Sequence, residues 1–244
     1  MANLKVASKP ILVLMLSILA SFVSAADIRA ESERSEADAA RDVTSKPYEV
    51  LKFFGVQPGW KVLDVLAGTG YYSEVMSQVV GSEGKVYLHN NGAYIRFAQG
   101  LDVRIADDRL PNVEAIVEEV DAMSIAAGSL DMAILVMTYH DAYFTSTGWT
   151  LTPDPLFATL RRVLKPGGVL AIVDHHGQPG TGIAQVQQLH RIDAEFAKAD
   201  IAGRGFRFVG GSDILENLDD DLTKGVFDPA IRRKTSRFVY KFVR

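Results

Sequence analysis

The sequence contains no cysteine among its 244 residues. The protein therefore cannot carry a disulfide framework, a lipoprotein attachment site or any thiol chemistry. It also lacks an excess of basic side chains, since 26 lysines and arginines stand against 30 aspartates and glutamates, for a net charge of −4 at pH 7. Binding of nucleic acid through bulk electrostatics needs the opposite balance, so we expect no nucleic-acid partner. Internal repeats and interdomain linkers are also missing, which predicts a single domain.

A long and almost wholly apolar stretch occurs only near the N-terminus, at residues 11–22. Lys5 and Lys9 precede it, and the small residues Val-Ser-Ala-Ala follow at 23–26. This order is typical of a secretory signal peptide and is short for a membrane span. We therefore predict a signal peptide at residues 1–26, with an uncleaved N-terminal anchor as the alternative. Export without disulfides predicts a periplasmic or secreted bacterial protein that is not inserted in the membrane after cleavage.

The rest of the chain divides into a short lead-in and one domain. Residues 27–46 are predicted to form the lead-in and a surface helix that starts near Ser35, and residues 47–244 the domain. Within the domain, apolar strands alternate with helical segments, which favours a parallel sheet covered on both faces. The predicted fold is α/β, with a doubly wound, mostly parallel seven-stranded sheet and an antiparallel C-terminal strand pair. The strands are predicted at residues 61–66, 85–88, 113–120, 130–137, 169–173, 206–209 and 238–243, and the longer helices at 70–80, 94–109, 155–164 and 183–199.

Residues 62–73 carry the most informative local pattern, Val-Leu-Asp-Val-Leu-Ala-Gly-Thr-Gly-Tyr-Tyr-Ser. An apolar strand ends near Asp64, a turn with Gly68 and Gly70 follows, and a helix begins directly after the turn. Glycine accepts a positive φ and has no Cβ, so the backbone of such a turn can approach a ligand closely. The helix N-terminus then faces the same ligand.

Taken in order along the chain, these signals resemble the class I S-adenosylmethionine-dependent methyltransferase superfamily, which has a Rossmann-like fold. The resemblance extends over about residues 49–244 and includes the Leu-Asp pair at 130–131 and Leu-Lys-Pro-Gly-Gly at 164–168. A narrower resemblance, to exported bacterial proteins called predicted methyltransferases, lies in Gly-Tyr-Tyr at 70–72, Tyr-His-Asp at 139–141, Leu-His-Arg-Ile-Asp at 189–193 and Val-Phe-Asp-Pro at 226–229. The resemblance implies the cofactor S-adenosyl-L-methionine, a small-molecule acceptor and a cofactor site formed by Asp64, Ala67, Gly68, Gly70, His89, Asn90, Asp121 and Ala122.

The chain departs from the superfamily at two positions of this site. Leu66 stands where the first glycine of the turn is usual, and Asn90 stands where an acid usually accepts hydrogen bonds from the ribose hydroxyls. A neutral amide is a weaker acceptor than a carboxylate. These departures keep open a second hypothesis, a non-catalytic periplasmic protein that binds a ligand on a methyltransferase fold.

Histidines and acids are concentrated where the predicted parallel strands end, which is where ligands bind in open α/β sheets. Tyr139, His140 and Asp141 follow the fourth strand, and Asp174 and His175 the fifth. We predict Tyr139, His140 and Asp141 as the catalytic residues that meet the acceptor. His140 is a candidate general base that Asp141 or Asp174 would orient; orientation of the acceptor or a purely structural role are the alternatives.

The same side chains could instead bind a metal ion. His140, Asp141, Asp174 and His175 form a mixed set of imidazoles and carboxylates, which suits a divalent metal. No His-x-x-x-His or equivalent spacing supports this reading. A metal-dependent enzyme therefore ranks third, and we assign no metal ligand from the sequence.

Overall fold

The computed structural model describes residues 34–244, which form one compact unit. The predicted signal peptide and the first residues of the lead-in lie outside this described part. Seven strands form a single sheet in the order β3-β2-β1-β4-β5-β7-β6. The strands are β1 (Lys61–Val65), β2 (Lys85–Asn90), β3 (Val113–Val117), β4 (Leu130–Val136), β5 (Leu164–His175), β6 (Arg207–Ser212) and β7 (Arg237–Val243).

The first five strands are parallel, and the last two strands complete the sheet through antiparallel pairings with β7. Strand β1 pairs in parallel with both β2 and β4, while β7 runs antiparallel to both β5 and β6. The central strands are almost entirely buried, as expected for a sheet covered on both faces. This architecture confirms the predicted fold class, including the antiparallel C-terminal pair.

Seven helices connect or flank the strands in the described residues. Helix α1 begins directly after Ser35, whose Oγ accepts a hydrogen bond from the Asp38 backbone N–H. Helix α2 starts with Pro47, and Gly55 ends it at a φ of 79°. The helices are α1 (Glu36–Ser45), α2 (Pro47–Phe54), α3 (Tyr71–Val80), α4 (Leu101–Ile105), α5 (Pro153–Val163), α6 (Val186–Leu189) and α7 (Ala194–Gly203).

Two predicted helices are wrong in their continuity. The segment predicted as a helix over 94–109 contains a 3₁₀ turn at Ile95–Phe97, the short helix α4 and a second 3₁₀ turn. Gly100, at a φ of 86°, separates the first two pieces. The helix predicted over 183–199 is divided into α6 and α7, because His190 adopts a left-handed conformation with a φ of 52°.

The main hydrophobic core lies between the sheet and its covering helices, and includes Leu63, Leu135, Leu160 and Ile172. Within residues 34–244, no helix combines the length and the apolar character that crossing a bilayer requires.

Candidate active site at the carboxyl edge of the sheet

The turn after β1 follows a left-handed path that explains its composition. Gly68 and Gly70 have φ values of 57° and 80°, and Gly70 directly precedes helix α3. A Cβ on Gly70 would come within 2.5 Å of Leu88 Cδ1 on strand β2, whereas one on Gly68 would meet only Tyr94 Cε1, at 3.7 Å. Glycine at 70 is therefore required by both conformation and packing.

Leu66 adopts the conformation that glycine would favour at its position. Its φ is 54°, which is unusual for a residue with a branched side chain. The side chain is buried in the main core, and its backbone N–H donates to His89 Nδ1 over 3.4 Å. The missing glycine of the turn is thus replaced by a left-handed leucine that packs into the interior.

Asp64 is buried at the end of β1 and supports the start of α3. Its Oδ2 accepts a hydrogen bond from Ser73 Oγ over 2.7 Å. Burial raises the pKa of Asp64 to about 7, although its hydrogen bonds with Ser73 and the charge of Arg41 oppose the shift. Asp64 therefore stabilises the turn through its hydrogen bond to Ser73, and its carboxyl group has no free access to solvent.

His89 and Asn90, predicted as cofactor-binding residues, use their polar atoms to hold the turn. Asn90 Oδ1 accepts from the Gly68 N–H at 2.9 Å, and its Nδ2 donates to the Gly68 carbonyl at 3.0 Å. His89 Nδ1 accepts from Leu66, and Nε2 donates to the Glu118 carbonyl at 2.9 Å. These hydrogen bonds support the turn, and direct ligand contacts by the two side chains remain a prediction. The backbone carbonyl of His89 also accepts from the Ala67 N–H.

Arg104 ties the same turn to the N-terminal helix. Its Nε donates to the Thr69 carbonyl at 2.6 Å, and its guanidinium also forms ion pairs with buried Glu74 of α3 and with Asp38 of α1. A guanidinium that bonds three different groups in this position fixes the turn from the side of α1. The sequence gives no local sign of this contact, since Arg104 and Asp38 are far apart in the chain.

A pocket of about 190 Å³ opens beside the ends of β2 and β3. Asp121 is exposed in it, in a 3₁₀ turn after β3, and the adjacent Ala122 donates its N–H to the Glu119 carbonyl. The Glu119 carboxylate accepts hydrogen bonds from the Gly92 N–H and from Thr150 Oγ1. The lining is therefore rich in hydrogen-bond acceptors, and the volume of the pocket suits a nucleobase. The lining residues are Asn91, Glu119, Val120, Asp121, Thr150, Leu151, Thr152 and Pro155.

His140 and Asp174 form a buried pair where β4 and β5 end. The Nδ1 of His140 and the Oδ1 of Asp174 are 2.7 Å apart, and Oδ2 of the same carboxylate accepts the His140 backbone N–H. Burial lowers the pKa of His140, but the charges of Asp174 and Asp141 outweigh it and raise the pKa to about 9. His140 is therefore protonated at neutral pH, with Nε2 directed away from Asp174.

Asp141 and His190 lie on the Nε2 side of His140. Asp141 Oδ1 is 3.5 Å from His140 Nε2, and the rings of His140 and His190 have centroids 5.4 Å apart. Burial raises the pKa of Asp141 to about 6, and burial together with the charge of His140 lowers that of His190 to about 4. The structure thus brings together His140, Asp141 and Asp174 as predicted, and adds His190, which the sequence analysis assigned only to a helix.

The hydroxyl of Tyr139 is directed away from this group, whereas the His175 ring lies beside it, with its centroid 5.9 Å from that of His140. Tyr139 is fully buried in the main core, and its hydroxyl donates to Asp200 Oδ2 at 2.9 Å. The hydroxyl is thus directed to helix α7, and a contact of Tyr139 with the acceptor remains a prediction. His175 Nδ1 lies 2.8 Å from Thr235 Oγ1, so that ring is held against the segment before β7.

Known proteins share both the sequence pattern and the fold. The chain is 26% identical over 125 residues to the ubiquinone/menaquinone biosynthesis C-methyltransferase UbiE of Teredinibacter turnerae; the match covers 51% of this chain and 46% of that protein, so the chain spans about half the length of this curated relative. Among solved structures, a SAM-dependent methyltransferase from Aquifex aeolicus has a TM-score of 0.60 at 21% identity, covering 91% of this chain and 99% of that chain.

A second solved structure, the geranyl diphosphate C-methyltransferase of Streptomyces coelicolor with Mg²⁺, geranyl diphosphate and S-adenosyl-L-homocysteine, has a TM-score of 0.57 at 14% identity. It covers 88% of this chain and 87% of that chain. At such identities the solved structures establish the fold. The family described as a methyltransferase domain matches residues 57–230, well over half of the chain, and the protein therefore belongs to the methyltransferase domain family.

Proposed function

We propose that the protein transfers a methyl group from S-adenosyl-L-methionine to a small acceptor. One observation carries this proposal: the Gly68–Gly70 turn, the Asp121 pocket and the His140 group all lie at the carboxyl edge of the parallel strands. A nucleoside-bearing cofactor at this edge can reach from the pocket past the turn toward His140. Membership of the methyltransferase domain family supports the same reading.

The described residues fit this cofactor in two respects. Asp121 offers an exposed carboxylate in a pocket of nucleobase size, and the turn lets the backbone of Gly68 and Gly70 lie close to the methionine part. When bound, the cofactor supplies an electrophilic methyl group on a sulfonium. The chain itself contributes binding and orientation, which account for much of the rate of an in-line displacement.

His140 is suited to orient the acceptor at neutral pH. Because its pKa is raised to about 9, its Nε2 carries a proton and donates a hydrogen bond, and it becomes a proton acceptor only in alkaline solution. Asp141 Oδ1 lies 3.5 Å from the same nitrogen, so its charge stabilises the protonated ring. The predicted general-base role therefore applies above about pH 9, and orientation of the acceptor applies below it.

The side chains around His190 favour an acceptor with an apolar ring. The rings of Phe144 and Phe227 lie 4.9 Å and 5.0 Å from that of His190, and Phe227 is 64% exposed. Aromatic surfaces of this kind stack on planar ligands. The name of the curated relative, a quinone-biosynthesis C-methyltransferase, supports the same class of acceptor.

Calorimetric titration with S-adenosyl-L-methionine and S-adenosyl-L-homocysteine tests the cofactor assignment. We expect both to bind, and we expect Asp121→Ala to weaken both by about tenfold, the loss of roughly one hydrogen bond to a charged group. Glu83→Ala is the matched control, because it removes an equally exposed acid from the loop before β2, at the opposite edge of the sheet. Absence of binding at millimolar concentration, or equal effects of the two substitutions, would refute the assignment.

Transfer of a labelled methyl group then tests the acceptor class. Planar quinone-like and phenolic compounds are expected to be methylated, and Phe227→Ala is expected to raise KM for the acceptor while leaving cofactor affinity unchanged. Methylation of polar aliphatic acceptors alone would contradict the proposed acceptor class.

A further inference from the structure

We propose that His140, Asp141 and His190 bind one divalent first-row transition-metal ion. The potential ligand atoms of these three residues, which we call the His-Asp-His group, all lie within 4.8 Å of one another. The inference does not depend on the proposed methyl transfer, because it rests on the ligand atoms and their surroundings alone.

The spacing of the His-Asp-His group is close to what a metal ion requires. At metal–ligand bonds of about 2.1 Å, two ligands of a tetrahedral ion are about 3.4 Å apart. His140 Nε2 and Asp141 Oδ1 are already 3.5 Å apart. A side-chain rotation that brings the third ligand closer by at most about 1.4 Å completes a set of three protein ligands, as in catalytic zinc sites.

The other side of His140 is built in the way that supports a metal-bound histidine. Its Nδ1 lies 2.7 Å from Asp174, a carboxylate with no exposed surface that also accepts the backbone N–H groups of His140 and His175 at 2.7 Å each. A carboxylate on the second ring nitrogen fixes the tautomer and aims the first nitrogen at the metal. This leaves Nε2 as the ligand atom, which is the atom that faces Asp141.

His190 is held in a conformation that its own sequence context does not favour. It has a φ of 52°, and within residues 34–244 neither of its ring nitrogens forms a hydrogen bond. The next residue, Arg191, is fully buried and binds Asp220 with both carboxylate oxygens at 2.9 Å and the His176 carbonyl at 2.9 Å. This ion pair maintains the backbone turn that brings the His190 ring to His140. A strained residue held by its surroundings, with a free imidazole, is characteristic of a functional site.

The donor set favours some ions over others. Two imidazoles and one carboxylate suit Zn²⁺, Co²⁺, Fe²⁺ or Ni²⁺, whereas Mg²⁺ and Ca²⁺ prefer oxygen ligands. Three protein ligands leave at least one coordination position open, beside the aromatic rings of Phe144 and Phe227. At Nε2 the ion would replace the proton of His140, and its open position would be available to a water molecule.

Titration of the full protein with Co²⁺ tests the site directly. The protein is purified without a polyhistidine tag, dialysed against chelator and titrated in the absence of S-adenosyl-L-methionine, while the visible d–d absorption of Co²⁺ is recorded. We expect one tightly bound Co²⁺ per chain, displaced by one equivalent of Zn²⁺ and unaffected by excess Mg²⁺. Thermal unfolding is expected to shift upward with Zn²⁺, because the ion binds only the folded chain.

Four substitutions make the result specific. We expect His190→Ala and Asp141→Asn each to weaken Co²⁺ binding at least a hundredfold, and Asp174→Asn to weaken it by about 10–100-fold through its loss of charge behind His140. His176→Ala is the matched control, because it removes a histidine outside the His-Asp-His group and is expected to bind as the wild type does. Circular dichroism confirms that each variant is folded.

The outcomes separate this inference from the proposed function. Failure of the folded wild type to bind Co²⁺ or Zn²⁺ would overturn the metal site, as would wild-type affinity in both His190→Ala and Asp141→Asn. Neither result bears on the calorimetric titration with S-adenosyl-L-methionine. Conversely, a protein that binds Co²⁺ but no cofactor would leave the metal site standing and remove the methyltransferase proposal.

Discussion

Gly70→Ala is expected to destabilise the protein through two separable effects. At a φ of 80°, any side chain pays the cost of the left-handed conformation, about 1–2 kcal/mol. The new Cβ would also lie 2.5 Å from Leu88 Cδ1, and Leu88 is fully buried, so relieving the overlap costs a further ~1–3 kcal/mol. The sum is about 2–5 kcal/mol, which corresponds to a decrease in Tm of about 4–20 °C for a domain of this size.

Thermal and urea unfolding of matched variants measure the two effects separately. Gly100 has a similar conformation, with a φ of 86°, but nothing lies within 4 Å of its Cβ position, so Gly100→Ala should cost only about 1–2 kcal/mol. Leu88→Ala should reduce the cost of Gly70→Ala when the two are combined, because the overlap is removed. The reasoning is refuted if Gly70→Ala costs no more than Gly100→Ala, or if its cost is the same with and without Leu88.

Three further predictions follow from buried charged groups. Burial raises the pKa of Asp64 from 3.8 to about 7, so its stabilising contribution is complete below about pH 4 and is lost as the pH rises to 7. Asp64→Asn should therefore gain stability relative to the wild type between pH 4 and pH 7, by as much as about 4 kcal/mol, and a constant difference in urea unfolding would contradict this. In the metal-free protein, the His140 ring should titrate near pH 9 by NMR and at lower pH in Asp174→Asn. Titration below pH 6.5 in the metal-free wild type would show that the carboxylates do not dominate. Arg191→Met leaves Asp220 buried without its cation and should cost about 3–5 kcal/mol in unfolding, and a loss below about 1 kcal/mol, typical of exposed pairs, would contradict it.

Local sequence patterns predict the parallel part of the fold, because each of its strands and turns is specified by a few consecutive residues. The apolar runs around Leu63 and Ile134, and the glycine turn between β1 and α3, specify their elements within a few residues. The prediction of one continuous helix over 183–199 was wrong because its break depends on a contact between distant residues. Its break at His190 depends on the pairing of Arg191 with Asp220, 29 residues further along the chain, which periodicity cannot reveal.

The position of the candidate site was predictable, because the site consists of side chains that follow the ends of neighbouring parallel strands. His140, Asp141 and Asp174 meet because β4 and β5 are adjacent and parallel. Their orientation was not predictable, because it depends on tertiary hydrogen bonds. The hydroxyl of Tyr139 is bonded to Asp200 in helix α7, and Asn90 closes on the backbone of Gly68.

The position of β7 in the middle of the C-terminal half of the sheet has a consequence for what can fold independently. The family match ends at residue 230, before β7 begins, yet among residues 34–244 β7 is the only strand that pairs with β6, and it also covers one edge of β5. Removing residues 231–244 would therefore leave β6 detached and the backbone of β5 unprotected from self-association. The match also omits Asp38, the α1 partner of Arg104. We therefore expect a chain trimmed to residues 57–230 to aggregate, whereas residues 34–244 should remain folded.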